Sequence, residues 1–434
     1  MADRPIELGS LEAMGRPSHE SRRTYWLLTR DFGWLWWGQL ISQVGDGVTR
    51  LALLWFVYSV TGSPLQTTII GLLQTLPPIV FGPLIGVYLD RLPKKSIMIG
   101  SDLARAVIIG VVPCWVTTDT LTVGYLYTLV FLNSIVSTAF GPALIASVPF
   151  IVRRGQFTAA NALLQITSSV GVIAGSALSG IGIAALSSQR VLCVNAVTYL
   201  ASAACLLFVR LPYVAESRPK AGHRFFSTMQ DVRDLIEGFH FSYRQHTILL
   251  LIITAAIYSF GMSAFSTLFP ILGKNMLKLG PADVGYLWSA LGGGLFLVSV
   301  ALVWLSYWDL QKRMSAIAFS SALTGVALWG LAIAGDIVVE GLLMGIIGAG
   351  IGLFTPVAWG VLQEIVPDRL VGRVLTIYGA GAMAAAMLGM MAFAWVMQQL
   401  GERGTVIGIG LVTIATTAMA WHVGQCVREE GTTT

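Results

Sequence analysis

Gln39, Gln43, Asp46 and Arg50 recur at i, i+4, i+7 and i+11 inside an apolar run that extends from about Phe32 to Val60. At 100° per residue the four share one helical face. A charged side chain at bilayer depth costs about 2.5–3.5 kcal/mol on insertion scales, so this stripe must face a bundle interior or a water-filled cavity. Two chemistries fit it. Asp46 can accept and release a proton as its surroundings change, burial favouring the neutral acid and Arg50 one turn away favouring the carboxylate. Alternatively Asp46 and Arg50 form a fixed ion pair that orients the helix and never titrates.

A second charged constellation comprises Asp90, Arg91, Lys94, Lys95, Asp102 and Arg105. Asp102 and Arg105 lie i and i+3 about one turn inside the next apolar run, close enough to pair with the cations before it. Acids inside an apolar run do nothing for membrane orientation, so they call for a further role. Gly171, Gly175 and Gly180 give another run a smooth face for close helix packing. Candidate ligand contacts are Gln39 and Gln43 of the first stripe, Tyr258, Met262, Phe265 and Phe269 at i, i+4, i+7 and i+11, Trp359, Gln363 and Tyr378 further on, and Asn133, Asn161 and Gln165 between. Aromatic and Met surface with a few amides suits a large, amphipathic, mostly apolar small molecule.

The elements that must position these residues are membrane helices. Of 434 residues, 55% are hydrophobic and 11% charged, against roughly 25% charged in soluble domains. With a mean hydropathy of +0.74, the composition predicts an all-α membrane protein. Long apolar runs give twelve spans, at about 32–60, 65–89, 97–117, 122–151, 156–186, 190–210, 247–272, 282–307, 313–335, 338–362, 373–397 and 404–424. With both termini cytoplasmic, 21 of the 27 Lys and Arg residues fall on the inner side, four on the outer side, and Arg50 and Arg105 inside spans. The basic charge is therefore a topology signal, and no nucleic-acid partner is needed to explain it.

Residues 1–31 read as a cytoplasmic tail, 32–210 as a six-helix bundle, 247–424 as a second, and 425–434 as a C-terminal tail. The intervening 211–246 is a cytoplasmic linker in which Phe225, Met229, Val232, Ile236 and Phe239 predict an amphipathic helix on the membrane surface. The halves echo each other: FGPALIASVPFIVRR from Phe140 aligns without a gap on FTPVAWGVLQEIVPD from Phe354, and a similar shift pairs Pro64 with Pro281 and Lys95 with Lys312. Two parallel six-helix repeats place a ligand site near the midplane between them, with alternating access by rocking.

The loop GVYLDRLPKK from Gly86 to Lys95 resembles the G-x-x-x-D-R-x-x-[RK]-[RK] signature of the major facilitator superfamily. LWWGQLISQVGDG, VTGSP, SDLARA and FTAANALLQ resemble its macrolide-exporter-like branch, which also holds siderophore exporters and lysophospholipid flippases. The resemblance implies that Asp90, Arg91 and the neighbouring cations lock the inner ends of the halves together, Asp90 receiving N–H groups at the start of span 11. Pro93 replaces a common Gly there, and the second-half counterpart WDLQKR lacks the Asp-Arg pair, which predicts an asymmetric gate. GVIAGSALSG resembles the antiporter pattern G-x-x-x-G-P-x-x-G-G but has Ser176 in place of the proline.

No P-loop, HExxH, GxSxG or Cys/His cluster occurs, which excludes an ATP-driven pump and argues against an enzyme or a metal site. The expected protein is a monomeric, multi-pass transporter of a bacterial cytoplasmic membrane. It would use the proton gradient rather than a cofactor to export macrolide-like amphipathic compounds, or alternatively an endogenous siderophore or lysophospholipid.

Overall fold

The computed structural model describes residues 29–89, 92–116, 123–152, 157–211, 239–305 and 310–432. Among these, α-helix dominates and no strand occurs. The helices are α1 (Arg30–Thr61), α2 (Pro64–Leu89), α3 (Lys94–Val116), α4 (Val123–Ile151), α5 (Phe157–Leu186) and α6 (Ser188–Phe208). They are followed by α7 (His246–Ile271), α8 (Pro281–Leu305), α9 (Leu310–Ile333) and α10 (Ile337–Ile365). The last segment, Asp368–Thr432, is broken at Gly401, whose φ of 72° suits a residue without Cβ; α11 and α12 denote the parts before and after the break. The predicted amphipathic helix of the linker and the residues Asp90 and Arg91 lie outside the described residues.

Local sequence explains the boundaries. Thr29 caps α1 by accepting the N–H of Phe32, and its own hydroxyl donates to the carbonyl of Ile151 at the end of α4. The other end of α1 stops at Gly62, whose left-handed backbone (φ 62°) lets its N–H reach the Tyr58 carbonyl, and Pro64 opens α2. Ten segments among the described residues are long and apolar enough to cross a membrane. One of these, Arg373–Gln425, runs for 53 residues, about 80 Å at helical rise, far beyond a single crossing. It covers α11 and α12 together. Helix α3 carries Lys94, Lys95, Asp102 and Arg105 within its 23 residues.

Neighbour relations repeat along the chain. In the first six helices α1 packs on α5 and α6, α3 on α6 and α4, and α2 on α4; in the last six α7 packs on α11 and α12, α9 on α12 and α10, and α8 on α10. The two sets meet through α5 with α8 and through α2 with α7 and α11. Backbone-to-backbone approach makes several of these seams. A Cβ on Gly47 would lie 2.3 Å from the Gly171 carbonyl oxygen, and one on Gly175 would lie 2.5 Å from that of Val44. At the seam between the sets, Gly180 faces Pro281 and Gly285, and Ser289 donates to the Ile173 carbonyl at 2.8 Å. The predicted glycine stripe is thus split, Gly171 and Gly175 meeting α1 while Gly180 meets α8.

The two sets also close on each other where α1 ends. Asn275, in the π-helical turn Leu272–Met276 that continues α7, donates to the Tyr58 hydroxyl and to Glu402 of α12. Lys274 lies 5.7 Å from the Trp55 ring and 5.4 Å from the Tyr58 ring. Gly71 of α2 abuts Thr267 of α7 and Met390 of α11.

Replacing Gly47 by Val should force α1 and α5 apart. The expected loss is about 1–3 kcal/mol, read as a lower melting temperature of the purified full chain in detergent. Gly33→Ala, where nothing lies within 4 Å of the added carbon, should melt within a degree or so of the unaltered protein, since surface substitutions change stability by about 0.5 kcal/mol or less.

Candidate functional site

Asp46 stands at the midpoint of the 32-residue α1, and Arg105 and Tyr199 at the midpoints of α3 and α6. The three helices bring these side chains together at one depth. Arg105 Nη2 donates to both carboxylate oxygens of Asp46, at 2.8 and 3.0 Å, and to the Tyr199 hydroxyl at 2.6 Å. The Tyr199 hydroxyl in turn donates to Asp46 Oδ1. The guanidinium also lies 4.0 Å from the centre of the Tyr199 ring. Asp102, wholly buried one turn before Arg105, has Oδ1 3.8 Å from Arg105 Nη1, and neither of its oxygens has a hydrogen-bond partner among the described residues. Asp46 is different: its side chain keeps 31% of its surface open.

This arrangement corrects two expectations. Asp46 is paired with Arg105, 59 residues away in the chain, and not with Arg50 on its own helix. Asp102 and Arg105 belong to this mid-depth cluster, Arg105 being bonded to Asp46 and Tyr199 and lying 3.8 Å from Asp102. Packing decides both points, because α1 is sandwiched between α5 and α6 and presents Asp46 to α3 and α6. Arg50, exposed and four residues further along, lies 5.7 Å from the centre of the Trp288 ring on α8.

Lys95 donates to the carbonyls of Leu207 and Val209, both at 2.8 Å, and so satisfies the end of α6 within the same half. Lys94 opens α3. The second-half cation Arg313 pairs with Glu364 of α10 at 2.7 Å.

The expected ligand contacts divide by exposure. Phe265 and Phe269 are wholly buried and Met262, Tyr258, Tyr378 and Gln39 nearly so; the aromatic stripe of α7 is core packing in this structure, Tyr258 stacking on Phe354 with ring centres 3.8 Å apart. Trp359 and Gln363, one turn apart on α10, are exposed, and Trp359 meets Tyr378 edge-on. Gln43 is half-buried, its backbone against Gly171. Asn133 is half-buried with its side-chain oxygen sealed and unpaired. The side chains of Asn161 and Gln165 lie outside the described residues.

Sequence reasoning missed Tyr199, Trp288 and Glu340. Asn195, Tyr199 and Ser202 fall at i, i+4 and i+7, a polar face in an apolar helix that signals Tyr199; Asn195 indeed donates to Thr49 of α1 at 2.6 Å. Glu340 is buried in the first turn of α10 with Oε2 unpaired. A cavity of about 750 Å³ lies between α8, α9 and α10, lined by Phe319, Leu323 and Leu353 with Lys312, and none of the charge-cluster residues borders it.

A bundle with its charges gathered at mid-depth and two similar sets of helices meeting along small-residue seams is an architecture shared by transporters. Residues 35–390 match the profile of the Major Facilitator Superfamily. The chain belongs to that superfamily. It is 24% identical over 369 residues to macrolide efflux protein A of Streptococcus pyogenes, covering 85% of this chain and 89% of the relative. It is 25% identical over 378 residues to the multidrug efflux pump Tap of Mycolicibacterium fortuitum, covering 86% and 90%. The crystal structure of a point mutant of the nucleoside transporter NupG superposes with a TM-score of 0.73 at 11% identity, covering 90% of this chain and 99% of that one. This superfamily member is a multi-pass membrane transporter with efflux proteins among its relatives.

Arg105→Gln would strand two carboxylates, and stability should fall by about 3–5 kcal/mol; Tyr199→Phe, which removes one hydrogen bond to a charged group, should cost about 1.5–3 kcal/mol. Thermal melting of both variants and of the double variant checks the pair, since a shared network makes the double loss smaller than the sum.

Proposed function

We propose that this chain is a proton-coupled exporter of amphipathic small molecules, macrolide-like drugs among them, in a bacterial cytoplasmic membrane. In this reading twelve spans form two six-helix halves, 32–210 and 247–424, with both termini cytoplasmic. The distribution of Lys and Arg supports that orientation. The contacts among Tyr58, Asn275 and Glu402 would then close the outer end. The relatives named for macrolide and multidrug efflux support export and the substrate class.

The observation that carries the coupling is the ratio of charges at mid-depth: two carboxylates, Asp46 and Asp102, share the single cation Arg105. With both acids ionised the group has one negative charge in excess, and one proton removes it. Asp46 is the member that solvent reaches. A proton arriving there weakens its hold on Arg105, and the guanidinium then has Asp102 as its remaining partner, 3.8 Å away. Because α1, α3 and α6 each contribute a member, this exchange of partners changes how α1 sits against its neighbours. Helix α1 packs on α5, and α5 forms the seam with α8, so the change reaches the other half. A ligand bound between the halves and a proton on Asp46 would thus compete for the same equilibrium, which is the requirement for exchange.

The test is purified protein in liposomes with an imposed pH gradient, assayed for transport of a macrolide. The unaltered chain should transport it in proportion to the gradient. Asp46→Asn should fold, bind the drug and lose the dependence on the gradient; gradient-driven transport at the unaltered rate by this variant would remove Asp46 from coupling.

A further inference from the structure

The geometry points to an anion-binding position at Arg50, which would take the carboxylate or phosphate group of an amphiphile. The inference rests on the exporter reading and narrows its substrate. Arg50 lies about 6 Å beyond Asp46 along α1, still deep in the bundle. Yet it is exposed, so the space it faces is open. Its guanidinium lies over the face of Trp288, and among the described residues no carboxylate lies within 4.0 Å of it. The nearest acid on its own helix face, Asp46, is already held by Arg105 and Tyr199.

A guanidinium presents five donors in a planar fork that matches carboxylate and phosphate oxygens in pairs. At this depth a cation without a counter-charge is costly, and a neighbouring aromatic face compensates only in part. The other mid-depth charges described in the first half have direct partners in the protein, Asp46 and Asp102 both lying within 4.0 Å of Arg105. Arg50 has no such partner among the described residues, and an incoming anion supplies one. Trp288 is nearly buried, and Phe269 stands edge-on to it with ring centres 5.5 Å apart, so the wall beside the cation is apolar and rigid. A headgroup at Arg50 with an apolar body along such a wall is the arrangement that results.

The probe is 11-(dansylamino)undecanoic acid, compared with its uncharged methyl ester by fluorescence anisotropy on the full chain in detergent. The acid should bind at least about tenfold tighter than the ester, and Arg50→Gln should reduce that ratio to about twofold or less, while Arg50→Lys retains part of it. Displacement by lauric acid and by lysophosphatidylglycerol, run in parallel, separates a free carboxylate from a lipid phosphate as the preferred anion. Equal binding of acid and ester by the unaltered chain overturns the inference, whether or not the variants fold. Efflux of both probes from liposomes keeps the two ideas apart. Equal affinities with gradient-driven efflux of the ester sink the anion position and leave the exporter reading standing; acid-selective binding without movement of either probe does the opposite.

Discussion

One guanidinium shared between two carboxylates at the middle of an apolar bundle is the constraint around which the first six helices are arranged. Arg105 reaches Asp46 on α1 and Tyr199 on α6 with one nitrogen and approaches Asp102 on its own helix with another. None of these groups can be left alone in hydrocarbon, so three helices must meet at one depth and in one rotation. The small residues of α1 are what permit the meeting. Gly45 lets Asn195 and Thr198 of α6 lie against the α1 backbone, and Gly47 does the same for Gly171 and Gly175 of α5. Electrostatics fixes the rotation of the helices and glycine fixes their spacing.

The second half obeys the same packing plan without the same charges. Where α1 carries Asp46 and Arg50, α7 carries Tyr258, Met262, Phe265 and Phe269 in close packing, with Phe354 stacked on Tyr258. Such a helix is held by dispersion and shape, and the buried acid of α10, Glu340, lies in a first turn near the end of the bundle. The two halves are therefore alike in neighbour relations and unlike in what holds each together, one half having a charge cluster at mid-depth and the other a close-packed aromatic core.

Much of the architecture was legible in the sequence because it follows from one-dimensional signals. Apolar length gives spans, Gly62 with Pro64 marks a turn, and the near repeat of Phe140–Arg154 at Phe354–Asp368 anticipates the recurrence of neighbours. The partners within the site were not legible, for a physical reason. Helical spacing tells which side chains share a face, so Asp46 with Arg50 is the pairing visible from one helix; the pairing with Arg105 depends on the rotation of α3 against α1, which spacing does not encode. The aromatic stripe of α7 failed in the same way, since a row of Tyr, Met and Phe suits a ligand surface and a helix contact equally, and only the neighbours, here Phe354 and Trp288, decide. Lys95 was legible as a cation near the membrane edge but not as the group that satisfies the last carbonyls of α6.

In the seam between α5 and α8, Gly180 and Gly285 meet backbone to backbone, the Ile173 side chain lies against Gly292, and Ser289 is bonded to the Ile173 carbonyl. Long side chains crossing such a contact would interlock like gear teeth and would have to disengage before either helix could turn. Bare backbone has no teeth. Where Gly180 meets Gly285 no side chain would have to disengage for one helix to roll on the other, and Ser289 would resist lengthwise sliding, as a collar does on a pin.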